Sequence, residues 1–149
     1  MVIMMNIFSY TGRITPADDK TNITHSFTVP DGVERLVVRY SYSPKEVDDE
    51  DSAMRLVADG LRRCNTAVVN VSSFLPVKNL ITLSFDENGG YRGACHRQPN
   101  EQTIIIAETG STSGINNSPI QAGEWAVVLN VHFAGCDIDY TVDIEGEIK

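Results

Sequence analysis

Few side chains in this chain of 149 residues have the type and spacing to do chemistry. Its three histidines, His25, His96 and His132, match no zinc-finger or His-x-x-x-His spacing. A metal site built from them would have to be assembled from different strands, with Glu108 or Asp86 completing the set. His25 shares an alternating face with Phe27 and Val29 and reads as a packed or hydrogen-bonded histidine. His132 shares its face with Asn130 and Val128, the more polar side of its segment. The densest cluster is Tyr91-Arg92-Gly93-Ala94-Cys95-His96-Arg97, which offers an aromatic ring, two guanidinium groups and an imidazole. Such a stretch can stack on a sugar or clamp a carboxylate. Together with Glu108 from the next irregular stretch, Tyr91, Arg92, His96 and Arg97 form the candidate ligand-binding set. The competing structural reading pairs Arg92 with an acidic neighbour and has Tyr91 cap the core.

The signatures of several enzyme classes are absent. No Gly-x-Ser-x-Gly, Walker loop or Gly-x-Gly-x-x-Gly occurs. Cys64, Cys95 and Cys136 form no Cys-x-x-Cys pair, and the adjacency of Cys95 and His96 does not supply a catalytic dyad. They read as reduced thiols, which with the missing secretory signal predicts a cytoplasmic protein. The residues suggest no cofactor, and no residue is assigned a catalytic role. A net charge of −8 argues against a nucleic-acid partner, which needs clustered Lys and Arg. No window approaches the roughly 20 apolar residues of a membrane span.

The elements that must position these groups are mostly strands. Ile3–Arg13, Asn22–Val29, Arg35–Tyr42, Leu80–Phe85, Gln102–Ala107, Glu124–Phe133 and Asp137–Ile144 alternate or are rich in β-branched and aromatic residues. Trp125 alternates with Val127 and Leu129 and belongs to the core. Asn88-Gly89, following an alternating run, predicts a hairpin turn rather than a calcium loop. One segment has helical periodicity, about residues 51–64, with Ala53, Leu56, Val57, Gly60, Leu61 and Cys64 on one face. The acidic run Asp48–Asp51 precedes it and Arg62-Arg63 close it, the order that a helix dipole favours. Asp59 is placed to pair with Arg55 and Arg63 at i,i+4. Residues 67–78, 87–100 and 108–121 read as irregular, the last two long enough to be functional loops. The expected architecture is mainly β: one jelly-roll-like antiparallel sandwich spanning residues 1–149, with one inserted helix.

Three blocks also resemble a known family. Phe27–Leu36, Asn79–Gly93 and the turn-and-strand Pro119–Trp125 with Gly114 before it are similar, in order, to the accessory β-domain of CehA/McbA-type metallohydrolases of the polymerase-and-histidinol-phosphatase (PHP) class. The resemblance covers about residues 25–135. It implies a jelly-roll-like sandwich that accompanies a hydrolase. The hydrolase ligands, His-x-His among them, are missing, and Glu87 and Ser113 stand where that family has proline. Its shared glycines Gly32, Gly89, Gly93 and Gly123 are those expected at positive φ.

These readings favour a non-catalytic binding or interaction module, for carbohydrate or for docking to a separately encoded hydrolase. Two alternatives are a small enzyme or metal-binding protein centred on the histidines, and a structural subunit that forms a homo-oligomer through an exposed apolar sheet face.

Overall fold

The computed structural model describes residues 2–63 and 75–149. Among the described residues there are eight strands: β1 (Ile3–Ile14), β2 (Asn22–Val29), β3 (Val33–Ser43), β4 (Leu80–Glu87), β5 (Gly90–Cys95), β6 (Glu101–Ala107), β7 (Gly123–Phe133) and β8 (Ile138–Ile148). They form two antiparallel sheets, ordered β1-β8-β3-β6 (sheet A) and β2-β7-β4-β5 (sheet B). Successive strands alternate between the sheets except at the β4–β5 hairpin, which is the connectivity of an eight-stranded jelly roll. The mainly-β sandwich expected from the sequence is the fold.

Period-two patterning explains the layers. In β8, Ile138, Tyr140, Val142 and Ile144 point inward while Asp139, Thr141, Asp143 and Glu145 point out. In β7, Trp125, Val127, Leu129 and Val131 point inward. These rows meet Leu36, Val38, Ile81, Leu83 and Phe85 in one core. Each fully buried Ile or Leu contributes about 1.5–3 kcal/mol. The outer face of sheet A is charged and largely paired: Arg13 to Asp139 at 3.0 Å, Arg35 to Glu147 at 3.2 Å and Arg39 to Glu145 at 3.1 Å.

Helix α1 (Glu50–Arg63) sits in the β3–β4 connection, close to the expected span; Cys64 and most of the 67–78 stretch lie outside the described residues. Asp49 starts the helix by accepting from the Ser52 amide at 3.3 Å, so the acidic run serves as a cap. Asp59 pairs with Arg62 at i,i+3 rather than with Arg55 or Arg63, because Arg55 instead donates to Ser52. Leu56 and Val47 pack close against Gly135 at the β7–β8 turn.

The stretch 87–100 is not one irregular loop. Asn88 (φ 48°) and Gly89 (φ 82°) make the predicted tight turn, and β5 returns along β4 as an eighth strand. The stretch 108–121 lacks regular structure and acts as a strap over two strand edges. On β5 it donates from Asn116 N to the Arg92 carbonyl at 3.0 Å and accepts from Ala94 N on the Gly114 carbonyl at 3.1 Å. On β6, Thr112 N donates to Ile105 O at 2.9 Å and Ser118 N to Ala107 O at 3.2 Å. The Thr112 and Ser111 hydroxyls accept from the amides of Ile105 and Ala107. Backbone approaches so closely here that a Cβ on Gly114 would lie 2.1 Å from the Ala94 carbonyl oxygen.

Candidate functional site

The structure divides the sequence-derived candidates among four places. Arg92 belongs to the strap. It is 2% exposed, and all five guanidinium N–H groups are used within the protein. They reach Glu87 at 2.8 Å and the carbonyls of Asn116, Pro119, Ala107 and Ser118 at 2.5–3.3 Å. The second Glu87 oxygen accepts from Gln121 N at 2.9 Å, and the guanidinium lies 5.5 Å over the Trp125 ring. Arg92 therefore has no donor left for a ligand; it binds the strap to the sandwich.

Glu108 lies at the same end, in a cleft of about 570 Å³ with Val33, Glu34, Arg35, Ile120 and Lys149. Ion pairs already occupy the basic groups there, Arg35 with Glu147 and Lys149 with Glu34 at 3.5 Å. His96 and Arg97 lie beyond the opposite end of β5, so Glu108 does not join them.

His25 is on the inner side of β2. Its Nε2 shares a 2.9 Å hydrogen bond with the Tyr140 hydroxyl, and its ring lies 4.2 Å from Tyr10 and 6.0 Å from Phe8. Burial pushes its pKa below the ordinary histidine value and pushes the Tyr140 phenol up to about 12. The packed reading of His25 from its Phe27–Val29 face holds. His25 thus sits on the other side of sheet B from His96 and His132, and the three do not converge. Among the described residues no three His, Cys, Asp or Glu side chains gather in a metal-binding group.

His96 and His132 do meet. Both are exposed on the outer face of sheet B, with ring centroids 5.7 Å apart and planes at 70°. Between them on β4 stands Thr82, itself 1% exposed. Its hydroxyl lies 3.1 Å from His96 Nδ1 and 2.9 Å from His132 Nε2, and the Asn130 amide donates to it at 3.4 Å. The pairing registers explain the meeting. Leu83 faces Cys95 and Thr82 faces Asn130, so Asn130, Thr82 and His96 form one outward row across β7, β4 and β5. Burial and the neighbouring His96 lower the His132 pKa.

One hydroxyl carries one proton, so Thr82 can donate to only one of the two rings; the other must donate to it. The rings therefore take opposite roles toward the hydroxyl and, meeting it through Nδ1 of His96 and Nε2 of His132, hold the same tautomer. Their remaining nitrogens are then one donor and one acceptor, on exposed rings whose centroids lie 5.7 Å apart. From this row the face continues through small side chains, Ser84, Ala94 and Ala126, to Asp86 and Tyr91, which is 66% exposed. On the other side Asn22 and Asn130 meet Lys20 and His132 around a shallow cavity of about 220 Å³. Tyr91 caps no core; of the expected ligand set, it and His96 share this face. Cys95 faces inward at 2% exposure, and burial pushes its thiol pKa up.

No family profile and no curated protein matches the chain. It is similar to a crystal structure from Sulfurospirillum deleyianum at 6% identity and a TM-score of 0.34, covering 91% of this chain and 96% of that one. It is also similar to dimeric latent PorU from Porphyromonas gingivalis at 8% identity and a TM-score of 0.35, covering 97% of this chain and 13% of that one.

Proposed function

We propose that the chain is a non-catalytic binding module whose ligand face is the outer surface of sheet B, and that the ligand is hydroxyl-rich, as a carbohydrate is. The observation that carries this reading is the His96–Thr82–His132 arrangement. A paired donor and acceptor is what a hydroxyl group, which donates and accepts at once, requires. The row beside it is uncharged, so a neutral polyol displaces water there without desolvating an ion. Tyr91 supplies an aromatic ring for a sugar's C–H face, and the small residues between leave room for it. The likeness of three sequence blocks to an accessory domain beside a hydrolase is part of the same proposal, with the catalytic centre on another polypeptide.

The test is an NMR titration with a panel of mono- and oligosaccharides. The His96 and His132 ring signals should move first. His96→Ala and His132→Ala should each weaken binding about fivefold, the value of one hydrogen bond of about 1 kcal/mol. A panel that leaves both rings unmoved sinks the reading.

A further inference from the structure

The nitrogens that the histidine pair turns toward Thr82 have a capability of their own. His96 Nδ1 and His132 Nε2 both face one point, the Thr82 hydroxyl, at 3.1 and 2.9 Å. Two imidazole nitrogens aimed at one point have the arrangement of a chelate. A metal–nitrogen bond of about 2.1 Å puts a ring centroid roughly 3.2 Å from the ion. Two rings on one ion then have centroids about 4.5–6.4 Å apart, for bond angles of about 90–180°. The observed separation, 5.7 Å, falls inside that window. The hydroxyl fits as a third donor. Adjacent donors around an octahedral ion with bonds of about 2.1 Å lie about 3.0 Å apart, the spacing of Thr82 Oγ1 from each nitrogen.

We propose that His96 Nδ1, His132 Nε2 and Thr82 Oγ1 hold one divalent ion of the nickel, copper or zinc type, with water in its remaining positions. The donor set selects that class. Among the described residues no carboxylate or thiol joins the pair. Calcium and magnesium want carboxylate oxygens, and closed structural zinc sites want thiolates, whereas imidazole suits the borderline divalent ions. Neighbouring charge does not oppose the ion strongly. Lys20, which borders His132 in the shallow cavity, is paired with Asp19 at 3.1 Å. Burial and the neighbouring His96 also lower the His132 pKa, which keeps that ring neutral and its lone pair free at pH 7. Both inner nitrogens must offer a lone pair, so one ring moves its proton to its outer nitrogen. The metal-free pair holds one tautomer twice, and the metal-bound pair holds one of each. This site stands whether or not the face takes a sugar.

Calorimetric titration of the whole chain with Ni²⁺ alone tests the site, and nitrogen-15 NMR of the rings with Zn²⁺ tests its geometry. The wild type should take up one Ni²⁺. His96→Ala and His132→Ala should each weaken uptake about tenfold or more, since even the supporting partners of metal ligands cost that much. Both side chains are exposed, so near-ultraviolet circular dichroism should be unchanged. His25→Gln, on the other side of the sheet, should leave the affinity as it is. On addition of Zn²⁺ the His96 and His132 rings should pass from one shared tautomer to two different ones. A wild type that takes up no Ni²⁺, a variant of either histidine that keeps wild-type affinity, or Zn²⁺ shifts confined to other residues overturns the proposal.

Discussion

The β5/β6 side and the β1/β2 side of this jelly roll answer one problem, unpaired strand edges, by opposite means. On the β5/β6 side a strap without regular structure supplies hydrogen bonds to both edges, and one buried arginine holds the strap in place. On the β1/β2 side the inward side chains form an aromatic cluster, Phe8, Tyr10, His25, Phe27 and Tyr140, while no described residue pairs with the outer backbone edge of β1. The difference teaches that closure of a sandwich need not be uniform. Buried polar bonds make the first side rigid and intolerant of change, whereas the second relies on side-chain packing.

Substitutions sharpen that contrast. Arg92→Ala strands the half-buried Glu87 and four carbonyls, and we expect a loss of about 3 kcal/mol, the lower end of the cost of breaking a buried pair. Urea unfolding measures it; a loss below about 1 kcal/mol, the value of a surface pair, would mean that the strap is held by other contacts. Gly114→Ala comes next. Its φ of 98° and the nearby Ala94 oxygen place it at the upper end of the roughly 1–3 kcal/mol that backbone strain costs. Gly110→Ala, in the same strap at φ 75° but with open space around it, should cost only about 1 kcal/mol. Equal costs at Gly110 and Gly114 would show that close approach is not what distinguishes them.

The open side should tolerate far more. Met4→Lys should change stability by no more than about 0.5 kcal/mol in thermal unfolding. The smallest effect is a pH dependence. His25 and His132 both have lowered pKa values in the folded state, so the unfolded chain binds protons first as pH falls. Stability should therefore decline from about pH 6.5, the ordinary histidine value, downward and level off below the folded-state values. His25→Gln should flatten part of that slope in urea titrations at stepped pH, leaving the share that belongs to His132. A slope untouched by His25→Gln would detach the aromatic cluster from the stability of the open side.

Much of this architecture could be read in the residues. Strand β2 spans the predicted Asn22–Val29, Trp125 is in the core, and Asn88-Gly89 makes the predicted turn. All four glycines expected at positive φ have it. Strand β5 was hidden because Arg92 occupies an inward position, which breaks the apolar–polar alternation, and because two glycines flank it. Its burial depends on acceptors from residues 107–119, which no local pattern announces. The histidine pair was hidden for another reason. His132, Thr82 and His96 stand on three strands, and only the β7–β4–β5 register puts them in contact. Side-chain parity placed His25 with Phe27 and Val29 and His132 with Asn130 and Val128, but their convergence stayed open until the two faces of sheet B were in view.

Strand β1, the first in sequence, pairs along its length with β8, the last, from Ile3 opposite Ile148 to Ile14 opposite Ile138. β1 therefore cannot complete its pairing before β8 has been made. Until then the run from Val2 to Phe8, uncharged and apolar but for Asn6, lacks its strand partner, and only its end at Phe8 can pack on His25 and Phe27 of β2. Closing so long a loop carries an entropic cost that the β4–β5 hairpin avoids. The strand whose partner is most distant in sequence is also, among the described residues, an edge of its sheet.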